Sequence, residues 1–310
     1  MCESDLRKEQ ALELKYNIFK AGLIHDSAFF NFWEKELLAP LWVLDTLKNG
    51  YEIPFLEQPS PYEERNNASA RSNMPVVRKI LLEMIAQEVI EVVEQKPICV
   101  NPLGLVTKQT DSGESKYRLV WDGSRHINKF LKSVHVRLSH LEKALEMTEP
   151  NDYQVVYDLT SAYYHIQIRE DQRKFLGAAF TDDTGKVIYV QYRVLPFGLA
   201  SAVHAITKIF KPITSYLNTK GLRASIYIDD GRIVSNSREK AEQDRVFTYN
   251  VLTQAGWAIA KLKSDASFQA SQKKKYLGFL INSSTMKVFA PQPKLKDLEE
   301  DIAKTREKHQ

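Results

Sequence analysis

The chain has 310 residues, 43% of them hydrophobic and 26% charged, with a formal net charge of +4. That length and apolar fraction give two or three subdomains around one or two cores, and the mild basic excess fits a groove for a polyanion as well as many proteins with no such partner. Cys2 and Cys99 are too few and too far apart for a disulfide framework or a zinc site, no apolar run is long enough to span a membrane, and the opening MCESDLRKEQ is not a signal peptide, so the expectation is an intracellular protein, cytoplasmic or nuclear.

In chain order, FFNFWEKELLAPLWVLDTLKNGYEIPF carries a short helical pattern that ends at Asn49-Gly50, then an extended YEIPF. The polar, proline-containing EQPSPYEERNNASARSNMP reads as a surface connection. Pro75 opens a helix in which Val77, Ile80, Leu81, Met84, Ile85, Val89, Val92 and Val93 keep a helical period as far as Lys96-Pro97. Two strand-like runs at 103–108 and 117–121 flank a polar loop with a glycine, a hairpin signal. YQVVYDL is a strand broken near Thr160-Ser161, and two further strands flank Asp183-Thr184-Gly185. After Gly198 a helix places Ala202, Ile206, Ile209, Ile213 and Leu217 on one face, with Pro212 expected to kink it. A hairpin around Tyr227, a polar helix over about 237–255, a strand KKYLGFLIN and an amphipathic helix from Pro291 with Leu295, Leu298 and Ile302 follow.

Two of these apolar strands end in carboxylates, YQVVYD on Asp158 and SIYIDD on Asp229 and Asp230. Asp and Gly suit turns, so YIDDG alone is ordinary hairpin chemistry. Three carboxylates at the ends of adjacent strands, however, repel one another, and a charge removed from water costs several kcal/mol unless compensated. Divalent cations are the simplest compensation. Mg²⁺ prefers oxygen ligands, and two such ions about 3.5–4 Å apart serve in-line displacement at phosphorus.

Taken in order, NPLGLVTK with KYRLVWDGSRHIN, YDLTSAYYHIQI, LPFGLASAVHAITKIF, YIDD, GWAIAKLKS and YLGFLI resemble the motifs of the reverse transcriptase family over roughly residues 75–290. GYEIPF, NNASA, SRHIN and LINSSTMKV resemble, within that family, the DIRS-like retrotransposons that carry a tyrosine recombinase. The resemblance implies an α+β right-hand polymerase of fingers, palm and partial thumb, with an antiparallel palm sheet packed on helices. It implies RNA-directed DNA synthesis with two Mg²⁺ ions, for which Mn²⁺ can substitute. The implied partners are an RNA template, a DNA or RNA primer and dNTPs, with RNase H and recombinase domains elsewhere in the element and no membrane.

The same resemblance implies roles for single residues. Asp158 and Asp229 are metal ligands, Asp230 supports them, and Leu159 lends its backbone carbonyl. Ser161 and Ala162 offer amides to the triphosphate, and Tyr163, five positions after Asp158, bars a 2′-hydroxyl. Lys108 (with Lys116 as its competitor) and Arg118 grip phosphates. Phe197 and Gly198 line the nucleotide–template pair. Lys263, or Lys261, protonates the departing pyrophosphate, and Leu277 and Gly278 mark the primer grip. Between Asp122 and Asn128 there is one residue more than the family pattern has, which leaves the register of 123–125 open.

The expected organisation is an N-terminal extension over 1–73, fingers at about 74–150 and 170–197, palm at about 151–169 and 198–290, and a truncated start of a thumb over 291–310. The competing reading is a silent or domesticated retroelement fragment that binds RNA without polymerising it. The intact carboxylates argue against that reading, and Tyr163 argues against an RNA-synthesising polymerase.

Overall fold

The computed structural model describes residues 19–109, 115–133, 141–260 and 269–290, together with 295, 301, 302 and 305. Asp26 caps α1 (Ser27–Asn31), its carboxylate accepting from the Ala28 amide at 2.9 Å. A π-helical turn, Phe32–Glu36, leads on to α2 (Leu41–Asn49), which stops at Gly50 as predicted. The stretch expected to be a plain connection contains a short strand, β1 (Tyr62–Glu63), and a helical turn, α3 (Ala68–Arg71). Long-range bonds order it: the Asn66 side chain accepts from the Leu103 amide and donates to the Ala179 carbonyl, neither of which a local pattern reveals.

Helix α4 (Met74–Ala86) has Pro75 in its first turn but ends well before Pro97. Glu88 turns the chain at φ 60°, and Ile90–Val93 forms β2, paired with the strand at 187–192. The apolar spacing at 89, 92 and 93 fits either period, and the β-branched side chains with a free pairing edge decide it for strand. Strand β3 (Cys99–Val100) precedes the predicted hairpin of β4 (Leu103–Gln109) and β5 (Ser115–Trp121). After α5 (Leu141–Glu146) come β6 (Tyr153–Asp158), β7 (Gly177–Thr181), β8 (Val187–Tyr192) and α6 (Ala202–Thr219), which continues through Pro212 and buries all five positions of the predicted face. Then follow β9 (Arg223–Tyr227), β10 (Asp230–Ser235) and α7 (Arg238–Gln254). KKYLGFLIN is two strands, not one: β11 (Lys273–Tyr276) and β12 (Phe279–Asn282) are joined by Leu277 and Gly278 at φ 48° and 77°, a two-residue hairpin with positive φ at both positions. Strand β13 (Lys287–Phe289) pairs onto β12. Of the predicted C-terminal helix, residues 295, 301, 302 and 305 are helical. The rest of that helix, and both Lys261 and Lys263, lie outside the described residues.

The chain divides into two compact units, 1–136 with 161–212 and 254–258, and 137–160 with 213–253 and 259–310. The first unit holds the mixed sheet β1-β3-β7-β8-β2 and the β4–β5 hairpin. Buried indoles stitch it together. Trp33 Nε1 donates to the Ala255 carbonyl and Trp121 Nε1 to the Gly177 carbonyl. His25 is half-buried and neutral: its Nδ1–H donates to Leu47 O at 2.9 Å, while its Nε2 accepts from the Gln167 amide at 2.8 Å.

The second unit is built on the antiparallel sheet β6-β10-β9, with β11-β12-β13 beside it. Successive residues of β6 face opposite ways. Val155 packs with Ala241 of α7, while Val156 packs with Ala144 of α5 and with Tyr276 and Ile281. Arg232 on β10 is fully buried beneath α5. Its guanidinium donates to Gln154 Oε1, the Ala144 carbonyl and Thr148 Oγ1 at 2.8 Å each. Its acceptors are neutral, and burial holds its pKa down at about 10.

Candidate active site

In the second unit, β6 and β10 are paired so that Asp158 stands opposite Asp230, and Asp229 occupies the turn before β10. One carboxylate oxygen from each of the three lies within 4.8 Å of the others, with Asp158 and Asp230 half-buried and Asp229 exposed. Two backbone bonds fix the arrangement. The Leu159 amide donates to the Asp229 carbonyl at 2.9 Å, and the Ala260 amide donates to the Asp158 carbonyl at 2.8 Å. Three anionic oxygen donors at this spacing match the preferences of a hard divalent cation, so the residues fit the metal that the sequence implies.

The turn itself is strained. Tyr227 pairs with Asp230, leaving Ile228 and Asp229 as the loop, and Ile228 sits at φ 57°. Glycine ordinarily supplies positive φ at the first position of such a turn, and a β-branched residue there costs on the order of 1–3 kcal/mol. Behind the turn, Gly231 opposes Tyr157, whose ring lies across it so closely that an added Cβ would collide with the ring. Gly231 is thus required by close approach rather than by its dihedral angles.

In the first unit, the residues predicted to meet the nucleotide fall into two groups. The β4–β5 hairpin pairs Lys108 with Lys116 and Val106 with Arg118, so all three cations project from one face of the hairpin and all are exposed. Lys108 and Lys116 are therefore cross-strand neighbours, and like charges directly opposed weaken a sheet unless an anion offsets them. The second group centres on the LPFG turn. The Phe197 ring meets Tyr163 edge-on at 4.8 Å and Tyr164 at 5.6 Å. Tyr163 is buried, Phe197 is 36% exposed, and Ser161 opens the turn before Tyr163 at φ 47° with Ala162 buried behind it. Gly198, at φ 113°, lies against the Trp121 carbonyl, leaving no room for a side chain. In the second unit, Leu277 packs against the cluster of Ala144, Val156, Tyr276 and Ile281, and Gly278 completes the turn.

Sequence reasoning gave no role to four positioning residues. Asn128 clamps the LPFG turn, its Nδ2 donating to the Gly198 carbonyl at 2.8 Å and its Oδ1 accepting from the Ala200 amide at 2.9 Å. The Tyr157–Gly231 contact is the second feature missed, and the buried Arg232 completes the set. A glycine immediately after two aspartates was the available signal for the contact, and the Arg118…Asp122…Asn128 segment marked Asn128 without giving it a role, while nothing local marks Arg232.

Residues 106–281 match the family model described as reverse transcriptase (RNA-dependent DNA polymerase). The chain belongs to the reverse transcriptase family. It is 26% identical over 257 residues to an enzymatic polyprotein of Cassava vein mosaic virus, a match that covers 80% of this chain and 35% of the viral protein. The chain thus spans about a third of the length of that relative. Among solved structures it resembles the foamy viral protease–reverse transcriptase in complex with an RNA/DNA hybrid, at a TM-score of 0.59 and 17% identity over 79% of this chain and 30% of the other. It also resembles the same enzyme in complex with dsDNA, at a TM-score of 0.56 and 16% identity over 81% of this chain and 51% of the other. The fold is that of the right-hand polymerases, α+β as the sequence predicts.

Proposed function

We propose that this chain is the polymerase part of a retroelement protein, an RNA-directed DNA polymerase that extends a primer 3′-hydroxyl with dNTPs. The observation that carries the reading is the convergence of Asp158, Asp229 and Asp230 at one end of the β6–β10 pair, in a chain of this family. Divalent cations, Mg²⁺ first and Mn²⁺ in its place, would be held by these three carboxylates and the Leu159 carbonyl, and they supply activation of the attacking oxygen and neutralisation of the charge on the phosphate. The chain's own residues position and exclude. Lys108, Lys116 and Arg118 hold the triphosphate, with the amides of Ser161 and Ala162. Tyr163, braced edge-on by Phe197, occupies the space a 2′-hydroxyl needs. Phe197 and Gly198 border the base pair, Lys263 donates the proton to pyrophosphate, and Leu277 and Gly278 grip the primer. Catalysis of this kind rests on positioning and charge stabilisation.

In this reading the palm, about 151–169 and 198–290, takes in most of the second unit, and the β4–β5 hairpin belongs to the fingers. The partners are an RNA template and a DNA or RNA primer, and GYEIPF, SRHIN and LINSSTMKV support an element of the DIRS-like group. The test is extension of a primer on an RNA template with Mg²⁺, then with EDTA. Extension that depends on the metal is the expected result. RNA binding without extension, in either Mg²⁺ or Mn²⁺, would leave the silent fragment as the correct reading.

A further inference from the structure

One face of α6 in the first unit carries His204, Lys208 and Lys211, four and three residues apart and therefore aligned. Lys211 is exposed and the other two are half-buried. The Lys208 ammonium lies 4.0 Å from the centroid of the Trp42 indole, and the His204 ring stands edge-on to the same indole at 6.4 Å. Their surroundings are cationic. Burial first and then the charge of Lys211 hold Lys208 below its ordinary pKa, and burial followed by Lys208 and Lys211 does the same to His204. Among the described residues no carboxylate bridges either lysine.

The indole matters here for a physical reason. A carboxylate would hold Lys208 in place and cancel its charge, whereas an aromatic face holds the cation while leaving its charge in play. The fold therefore keeps an uncompensated positive stripe in a fixed position. Along the helix, Lys208 and Lys211 are about 4.5 Å apart and His204 and Lys211 about 10.5 Å apart. Stacked strands carry one phosphate per roughly 3.4 Å of rise, so the stripe matches a run of phosphates better than one isolated anion. His204 and Lys208 lie in the LPFGLASAVHAITKIF segment, but none of the four residues is among those assigned to the nucleotide or the metal.

We propose that Trp42, His204, Lys208 and Lys211 form a docking surface for the phosphate backbone of a nucleic-acid strand. The choice of nucleic acid as partner rests on the polymerase reading; the stripe itself does not. The test is binding of a labelled single-stranded RNA by the full chain, followed by fluorescence anisotropy over a salt series. Lys208→Gln with Lys211→Gln should lower the slope of log K against log salt by about 1.4, since each phosphate contact on a single strand contributes about 0.7. Trp42→Leu, which keeps an apolar contact but loses the π face, should weaken binding in the same direction. An unaltered slope and affinity in the double variant, at native melting temperature, would overturn the proposal, as would displacement of RNA by polyglutamate as readily as by polyuridylate of equal charge. The two readings separate cleanly. A reduced slope in a protein that extends no primer sinks only the polymerase reading, and normal extension with an unaltered slope sinks only this one.

Discussion

At the scale of single residues, function and stability pull against each other. Asp158, Asp229 and Asp230 hold like charges within a few ångströms, which disfavours the metal-free fold. Asp229→Asn keeps the shape and removes one charge. It should reduce primer extension on poly(rA) by more than about 100-fold, beyond the 10–100-fold typical for loss of an outer partner of a metal ligand. In EDTA it should melt no lower than the parent chain, and Asp158→Asn should behave alike. Near-parental extension by Asp229→Asn would remove the carboxylates from the chemistry. Tyr163 makes a different contribution. Its ring is buried against the exposed Phe197, so truncation opens space beside that ring without removing charge. Tyr163→Ala should shift the ratio of kcat/KM for dNTP over rNTP by about 10-fold or more toward ribonucleotides, in the range that small steric differences provide. An unchanged ratio would make the residue a core tyrosine.

At the scale of elements, the β6–β10 pair decides where the carboxylates stand. A one-residue slip would turn every side chain to the opposite face, so the register needs specific anchors. Arg232 is one, tying β10 to Gln154 on β6 and to the end of α5. The Tyr157–Gly231 contact is the other, directly behind the Asp158–Asp230 pair. Gly231→Ala places a methyl group into the Tyr157 ring and should destabilise the chain by about 1–3 kcal/mol, as overpacking does. Urea denaturation measures this. Adding Tyr157→Val should return part of the loss, giving a non-additive pair. Strict additivity of the two changes would mean that the ring and the glycine do not constrain each other.

At the scale of the whole molecule, acid sensitivity follows from two histidines of the first unit, His165 buried and His25 half-buried. Burial pushes both His25 and His165 down to about 4. Each is held neutral by its bonds, the His165 Nε2 accepting from the Ala258 amide at 3.0 Å. In the unfolded chain a histidine titrates near 6.5, so below that pH the unfolded state binds protons that the folded state refuses. Stability should therefore be flat on this account above about pH 6.5 and fall as pH drops toward 4, by up to about 1.4 kcal/mol per pH unit per histidine. His165→Gln, which keeps polar atoms but does not titrate, should flatten the curve in that window. An equal slope in the variant would assign the acid sensitivity to other groups.

The sequence by itself determined the order of the motifs, the strand end that carries Asp158, the β4–β5 hairpin and the buried face of α6; it ran the strand SIYIDD through Asp229 and Asp230, whereas β9 ends at Tyr227, Asp229 lies in the turn and Asp230 opens β10. Those features are written in short-range patterns: strand alternation, helical period and turn chemistry. Only the tertiary structure decided that 90–93 pairs with β8 instead of extending α4, that 273–282 folds back as a hairpin, and that Asn128 reaches the carbonyl of Gly198. It also decided the fit of Tyr157 over Gly231 and the burial of Arg232. Apart from the 273–282 hairpin, whose partner strand is local, the deciding energy comes from a partner distant in sequence, an unpaired strand edge or a buried polar atom that must be satisfied. No local window contains such a partner.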